Sequence, residues 1–319
     1  MKKNSNIVFI FVSTLIALLA FAFVYWHSFL NERNIKGEDK ETPSTQTEVV
    51  TNEVLETEMI SEGTEIETEE EDKQMYPDVC GLDYVDPPQK RTKEEVYARL
   101  EELSETNEMV AKVCMNMDAY TSGELSHLAN NPEMADFFLS YANSDGSVTG
   151  GFSEQELEED YPLLLQFDPR WGNYIYGDAP MGFAGCGPTC MSMAILYLTD
   201  ETIYTPDKIA DDSVSAGYYV EGVGTAWSLM TEYPTRLGLS SYAISISDES
   251  MKQKLDEGCV LILSVSPGAF TSVGHFILIY GYDENGYFVN DPKCVARSRQ
   301  TWDYDLFDDQ IKQVWAIGK

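Results

Sequence analysis

Cys186 stands at the head of an apolar run, in GFAGCGPTCMSMAILYL, residues 182–198. Pro188 suits a first helical turn, where its missing N–H is not needed, so a helix is expected from Pro188 to Leu198 with the thiol just before it. The open amides and the dipole at such a helix start favour an anion, which lowers a thiol's pKa and stabilises the thiolate. A thiolate is a nucleophile, and the same amides can receive the oxyanion of an attacked carbonyl. The alternative is a buried structural cysteine.

A thiol nucleophile needs a base, and the sequence holds three histidines. His27 borders an apolar segment. His127 lies in a helical stretch, where a surface position is expected. His275 opens the apolar strand HFILIYGYD after Gly274, a residue that leaves room for a substrate backbone. That strand turns at Asn285-Gly286 and returns as GYFVND, ending at Asp291 before Pro292. A simple register leaves Asp291 a few residues from His275, so a bend or bulge is required to join them. Asn290 is the competing residue, and either would hold the imidazole in the tautomer that accepts the thiol proton. Gln166, closing the apolar run of LLLQFDPRWG, is the candidate side-chain donor to the oxyanion, with a turn-facing glutamine as the alternative.

The remaining polar motifs carry less. Cys190 falls one helical turn after Cys186 on the same face and reads as core. Cys-x-x-x-Cys is not the thioredoxin spacing, and no paired Cys-x-x-Cys offers a zinc site. The glycine-rich VEGVGTAWSLM is not followed by the lysine of a nucleotide loop. No metal or cofactor is therefore expected. Trp171, Trp227 and Trp302 read as core or lid packing, with a place on a cleft wall as the alternative. Six cysteines allow disulfides outside the cell, with no connectivity derivable from spacing.

The order Gln, Cys-Gly-Pro-Thr, Gly-His, Asn-Asp-Pro resembles papain-like cysteine peptidases. Through QFDPRWG, GCGPTC, TAWSLM, GHFILIYGYD and VNDP, residues 161–319 are most similar to the extracellular relatives of the bacteriocin-processing, or double-glycine, peptidases. The resemblance implies Cys186 rather than Cys190 as nucleophile, His275 as its base, Asp291 as the orienting group and Gln166 at the oxyanion. It implies a peptide or protein substrate and a papain-like fold. Unlike the bacteriocin exporters, the chain is expected to carry a single preceding anchor and no transporter segment, so cleavage of double-glycine leaders is not implied.

These residues must be positioned by a small set of elements. Helices are expected at about 226–237 and 248–256, and strands at CVLILSVS, HFILIYGYD, GYFVND and QVWAI. Upstream, TKEEVYARLEELSE places Val96, Leu100 and Leu103 at helical spacing, with Thr92 and Glu95 forming a capping box. SGELSHLANNPEMADFFLSYANS reads as two short helices broken near Asn131-Pro132, and NSDGSVTGG marks a loop and boundary. Helices followed by an antiparallel sheet make an α+β plan.

The chain carries a net charge of −33, and residues 1–160 hold −23 of it. That field disfavours nucleic acid and anionic surfaces. Residues 7–26, IVFIFVSTLIALLAFAFVYW, hold no charge and would span about 30 Å as a helix, the thickness of a bilayer core. With Lys2 and Lys3 before it, this reads as a signal anchor leaving residues 1–6 in the cytoplasm, and a signal peptide cleaved after Ala20-Phe21-Ala22 is the alternative. Residues 27–75 are rich in Glu and Thr and read as a self-repelling acidic spacer. A helical region at 76–160 and a peptidase domain at 161–319 complete the organisation. The expectation is a monomeric, membrane-anchored, extracellular cysteine peptidase acting on a peptide or protein, cell-wall peptide included. A peptidoglycan peptidase or amidase of the same fold, or an inactive papain-like binding module, is the alternative.

Overall fold

A computed structural model describes residues 82–319. The expected anchor, the spacer and Cys80 lie outside the described residues. Among those described, no helix is long and apolar enough to cross a membrane.

The described chain opens with helices. Thr92 caps the helix Lys93–Ser104, and Glu95 returns the bond to the Thr92 amide, completing the expected capping box. The helix Glu108–Cys114 follows, capped by Asn107, and was not legible as a separate element. Ser122–Asn130 and Ala135–Tyr141 are the two short helices expected around Asn131-Pro132, joined by a single 3-10 turn at Pro132–Met134.

Two short hairpins come next around the central helix: β1 (Ile175–Tyr176) with β2 (Ala179–Pro180), and β3 (Tyr219–Val220) with β4 (Gly224–Thr225). Between them run Cys186–Thr199 and Pro206–Ala216. The sheet is built from β5 (Ser240–Ile244), β6 (Val260–Val265), β7 (His275–Asp283), β8 (Gly286–Asn290), β9 (Thr301–Trp302) and β10 (Ile311–Gly318). Its order is β5-β10-β6-β7-β8-β9, and every neighbouring pair is antiparallel. This is the α+β plan expected from the sequence.

Alternation along the strands gives the sheet two buried faces. Ile262, Leu278 and Ile317 enter one apolar cluster with the helix Cys186–Thr199, and the helices before residue 142 share it through Leu100, Leu125 and Phe138. Leu261, Ile277 and Ala316 enter a second cluster with Met251, Phe270 and Phe307. Because both sides of Cys186–Thr199 meet other elements, this helix is buried along almost its whole length rather than in one stripe.

The upstream helices hold the loop that follows β8. Glu133 is buried and its carboxylate accepts from the amides of Val295 and Ala296 at 2.7 and 2.9 Å. The Asn131 amide donates to the Lys293 carbonyl in the same loop. The described residues 82–319 thus belong to one compact unit, with no break at residue 160. Glu133→Ala would leave two buried N–H groups without acceptors, at about 1–3 kcal/mol each, so a loss of roughly 2–6 kcal/mol in urea unfolding is expected. A loss under about 0.5 kcal/mol, the scale of ordinary surface substitutions, would show that this clasp contributes nothing.

Candidate active site

The helix that carries Cys186 runs from Cys186 to Thr199, beginning two residues earlier than its proline suggested. Its N-cap is Gly185, and no side chain caps it, which leaves the first-turn amides open toward the thiol. Two glycines are dictated by close approach. A Cβ on Gly187 would lie 2.5 Å from the Thr225 hydroxyl, and one on Gly185 would lie 2.6 Å from the Met181 carbonyl. The Cys-Gly-Pro sequence therefore lets β4 press against the helix start.

His275 begins β7 opposite Val265. Asp291 follows the last residue of β8, and the required bulge is present: the β7–β8 register slips by one between Ile279 and Gly281. The slip draws the end of β8 one residue nearer to His275. His275 Nε2 meets Asp291 Oδ1 at 2.7 Å. Asn290 turns elsewhere, donating to the Tyr197 hydroxyl at 2.7 Å and the Tyr161 carbonyl at 3.2 Å. The geometry therefore selects Asp291 over Asn290 as the partner of the imidazole.

Asp291 is fully buried and accepts further bonds from Arg297 Nε at 2.7 Å and the Lys293 amide at 2.8 Å. Burial alone would raise its pKa; the Arg297 and His275 charges hold it far below the usual carboxylate range. Burial likewise opposes a charged His275, yet the Asp291 carboxylate, with a smaller contribution from Cys186, lifts the imidazole to about 9. Cys186 shows the complement. Burial pushes the thiol up, and the hydrogen bond and charge of His275, the Phe276 amide and the Lys293 charge together bring it below its ordinary value. The lowered thiol and raised imidazole favour a thiolate–imidazolium pair at neutral pH.

These groups border a cleft of about 550 Å³, lined among others by Cys186, His275, His127, Phe183, Trp227 and Val273. Gly274 also borders it, and a Cβ there would meet nothing within 4 Å, so the space beside His275 is open. Of the three tryptophans, Trp227 is half exposed on the cleft wall; Trp171 is fully buried, and Trp302 packs on Phe270 at 4.4 Å between centroids.

Two expectations need correction. Gln166 does not face the cleft. It is fully buried, its amide donates to the Gly182 carbonyl at 2.8 Å, and its Oε1 has no partner. Carbonyls of the loop before Cys186 have drawn the amide that was expected at the oxyanion. The rest of its motif is structural too: Arg170 bridges Asp168 and buried Glu156, and the Trp171 indole donates to the Leu165 carbonyl at 2.7 Å. His127 is partly buried rather than on the open surface. It lines the cleft, packs on Phe183 at 5.2 Å and bonds through Nδ1 to Lys293 Nζ. Finally, the five cysteines described are all free thiols. Cys190 is wholly buried in the core, as expected, and burial raises its pKa.

Arg297, Lys293 and His127 were missed. Arg297 had a weak signal, a basic residue six positions after Asp291 in DPKCVARS. Nothing local marks His127 or Lys293, which are 166 residues apart. No cluster of three His, Cys, Asp or Glu side chains suited to a metal is found among the described residues.

The arrangement, a thiol at a helix start with an imidazole on the adjoining antiparallel sheet, defines the class, a cysteine peptidase in general. Residues 158–319 match the Peptidase C39-like family, and the chain belongs to that family. Among solved structures it is similar to the peptidase domain of Streptococcus ComA, a bifunctional ABC transporter involved in a quorum-sensing pathway. The identity is 17%, the TM-score 0.36, and the match covers 50% of this chain and 98% of that one. No curated protein matches the chain.

Protonation of the pair sets an expected pH profile. With His275 as the acid toward the leaving nitrogen, kcat/KM is expected to fall as pH rises through about 9, where the imidazolium is lost. The acid limb is expected to follow thiolate formation and to lie below the ordinary thiol value. An alkaline limb near pH 6.5, the ordinary imidazole range, would contradict the Asp291 coupling.

Proposed function

We propose that this protein hydrolyses peptide or isopeptide bonds through Cys186, His275 and Asp291. The observation that carries the reading is the buried His275 held by Asp291 at 2.7 Å and coupled to Cys186 in an open cleft. In this reading the Cys186 thiolate attacks the carbonyl carbon while the first-turn amides receive the oxyanion. His275 then protonates the leaving nitrogen. Water, deprotonated by the same imidazole, releases the acyl group. Asp291 fixes the ring throughout, and Arg297 keeps Asp291 ionised. Gln166 acts indirectly, pinning the residue 181–182 turn behind the nucleophile.

The sequence of residues 7–26 extends the proposal to an extracellular domain tethered to a membrane, with the acidic stretch 27–75 as spacer. Cell-wall peptides are then one accessible substrate class. In a fractionation experiment, the full chain is expected with membranes and a chain beginning at Tyr76 in the soluble fraction. Equal solubility of the two would remove the tether.

Hydrolysis is tested with mixed peptide libraries and cell-wall peptide fragments, comparing the native protein with Cys186→Ser. Turnover lost in the variant with peptide binding retained supports the enzyme. Binding by both proteins with turnover by neither would make the domain a binding module.

A further inference from the structure

We propose that His127, supplied by the helical segment upstream of the family match, is the side-chain donor to the substrate's carbonyl oxygen as it becomes an oxyanion. The proposal rests on the cysteine-peptidase reading of the cleft.

Oxyanion stabilisation by a side chain was expected from Gln166, whose amide is committed to the Gly182 carbonyl and lies outside the cleft. Two hydroxyls of the wall are also committed, while Ser264 and Trp227 line it as well. The Thr225 hydroxyl pairs with Tyr176 at 2.9 Å, and the Tyr219 hydroxyl donates to Asp178. His127 lines the same cleft as Cys186 and His275.

Its neighbours fix which nitrogen carries the proton. An ammonium has only donors, so the Lys293 Nζ contact makes His127 Nδ1 an acceptor. The proton must then sit on Nε2, and no bond from Nε2 to a protein acceptor is found among the described residues. The ring is held in place by Phe183, which itself meets Phe137, Phe138 and Tyr141 at 5.1, 5.5 and 5.3 Å. Burial first, and the Lys293 charge second, keep the imidazole well below its ordinary pKa, so it stays neutral and does not compete with His275 for protons. Burial brings Lys293 itself to about 8, which leaves it mostly charged at neutral pH. The result is a rigid, neutral N–H donor in a partly dry site, the kind of group that stabilises a developing negative charge most.

The step balances without any proton leaving His127. The thiolate forms the C–S bond, and the carbonyl π pair moves onto oxygen. Nε2–H and the helix-start amide hold that oxygen. The pair returns as the C–N bond breaks, and His275 supplies the proton to nitrogen.

Two thiol reagents separate this role from a structural one. A panel of dipeptidyl fluoromethyl ketones reacts through attack on a carbonyl, with displacement of fluoride completing the label. Iodoacetamide alkylates the thiolate directly and forms no oxyanion. In the full chain, His127→Ala is expected to slow ketone labelling of Cys186 by about 10²-fold while leaving the iodoacetamide rate within about twofold. His127→Gln, which keeps an N–H donor, should recover most of the ketone rate. Equal losses with both reagents, or no loss with either, would overturn the proposal. Native protein that takes iodoacetamide at Cys186 but ignores every ketone would overturn the peptidase reading itself, and the proposal with it.

Discussion

His275→Ala is expected to abolish hydrolysis while the protein remains folded. In the proposed reaction the imidazole serves twice, as the charge that keeps Cys186 ionised and as the acid that protonates the leaving nitrogen. Removing one member of such a unit costs on the order of 10⁴–10⁶ in kcat, because the remaining groups cannot act alone. Cys186→Ala should cost as much. Asp291→Asn should leave more, since an amide oxygen can still accept from His275 Nε2, but it surrenders the charge that raises the imidazole. It also leaves Arg297 buried without its carboxylate, so a loss of stability accompanies the loss of rate. Steady-state turnover and thermal melting of the three variants check this. Activity in His275→Ala within about tenfold of the native protein would remove the thiol–imidazole mechanism.

A chain beginning at Tyr161 should not fold cooperatively. It loses the Phe137 and Phe138 side of the core, where truncation of a single buried Phe already costs about 3–5 kcal/mol. It also loses the Glu133 acceptors of the loop carrying Asp291 and Arg297. Gly182 would face solvent where it now abuts the Phe137 ring, so the turn before Cys186 would lose its support. Together these approach the whole stability of a typical domain, about 5–15 kcal/mol. A chain beginning at Tyr76 should melt cooperatively, at a temperature close to that of the full chain. Equal melting temperatures for the Tyr76 and Tyr161 chains would make the helical segment an independent module.

The sheet was legible because β6, β7, β8 and β10 are short apolar runs bounded by turns, and each burial pattern follows from two covered faces. The Thr92 and Glu95 box was legible because its signal lies within four residues. Pro206–Ala216 escaped, although Pro at its first position and Gly217 at φ 80° beyond its end are ordinary helix signals. Ser240–Ile244 escaped because it is an edge strand, paired only with β10 and largely open on both faces.

At the site, Cys186, His275 and Asp291 could be read because each sits at the end of a strongly patterned element. The surroundings could not. Gln166 was misplaced because a glutamine's target depends on which carbonyls the fold brings near it, and these lie 15 and 16 residues downstream. His127 was taken for a surface residue because its helix is polar in sequence. Its burial comes from Phe183 and Lys293, both distant in the chain. The family match, confined to residues 158–319, does not reach it either.

In the proposed site Cys186 is a thiolate because His275 makes it one. Alkylation of the full chain with iodoacetamide at pH 6.5, followed by mapping of the modified cysteines, tests this. Cys186 is expected to be modified fastest of all the cysteines, ahead of the partly exposed Cys114 and Cys259, whose thiols burial pushes up. His275→Ala is expected to remove that advantage. Modification of Cys114 or Cys259 ahead of Cys186, or a Cys186 rate unchanged in His275→Ala, would contradict it.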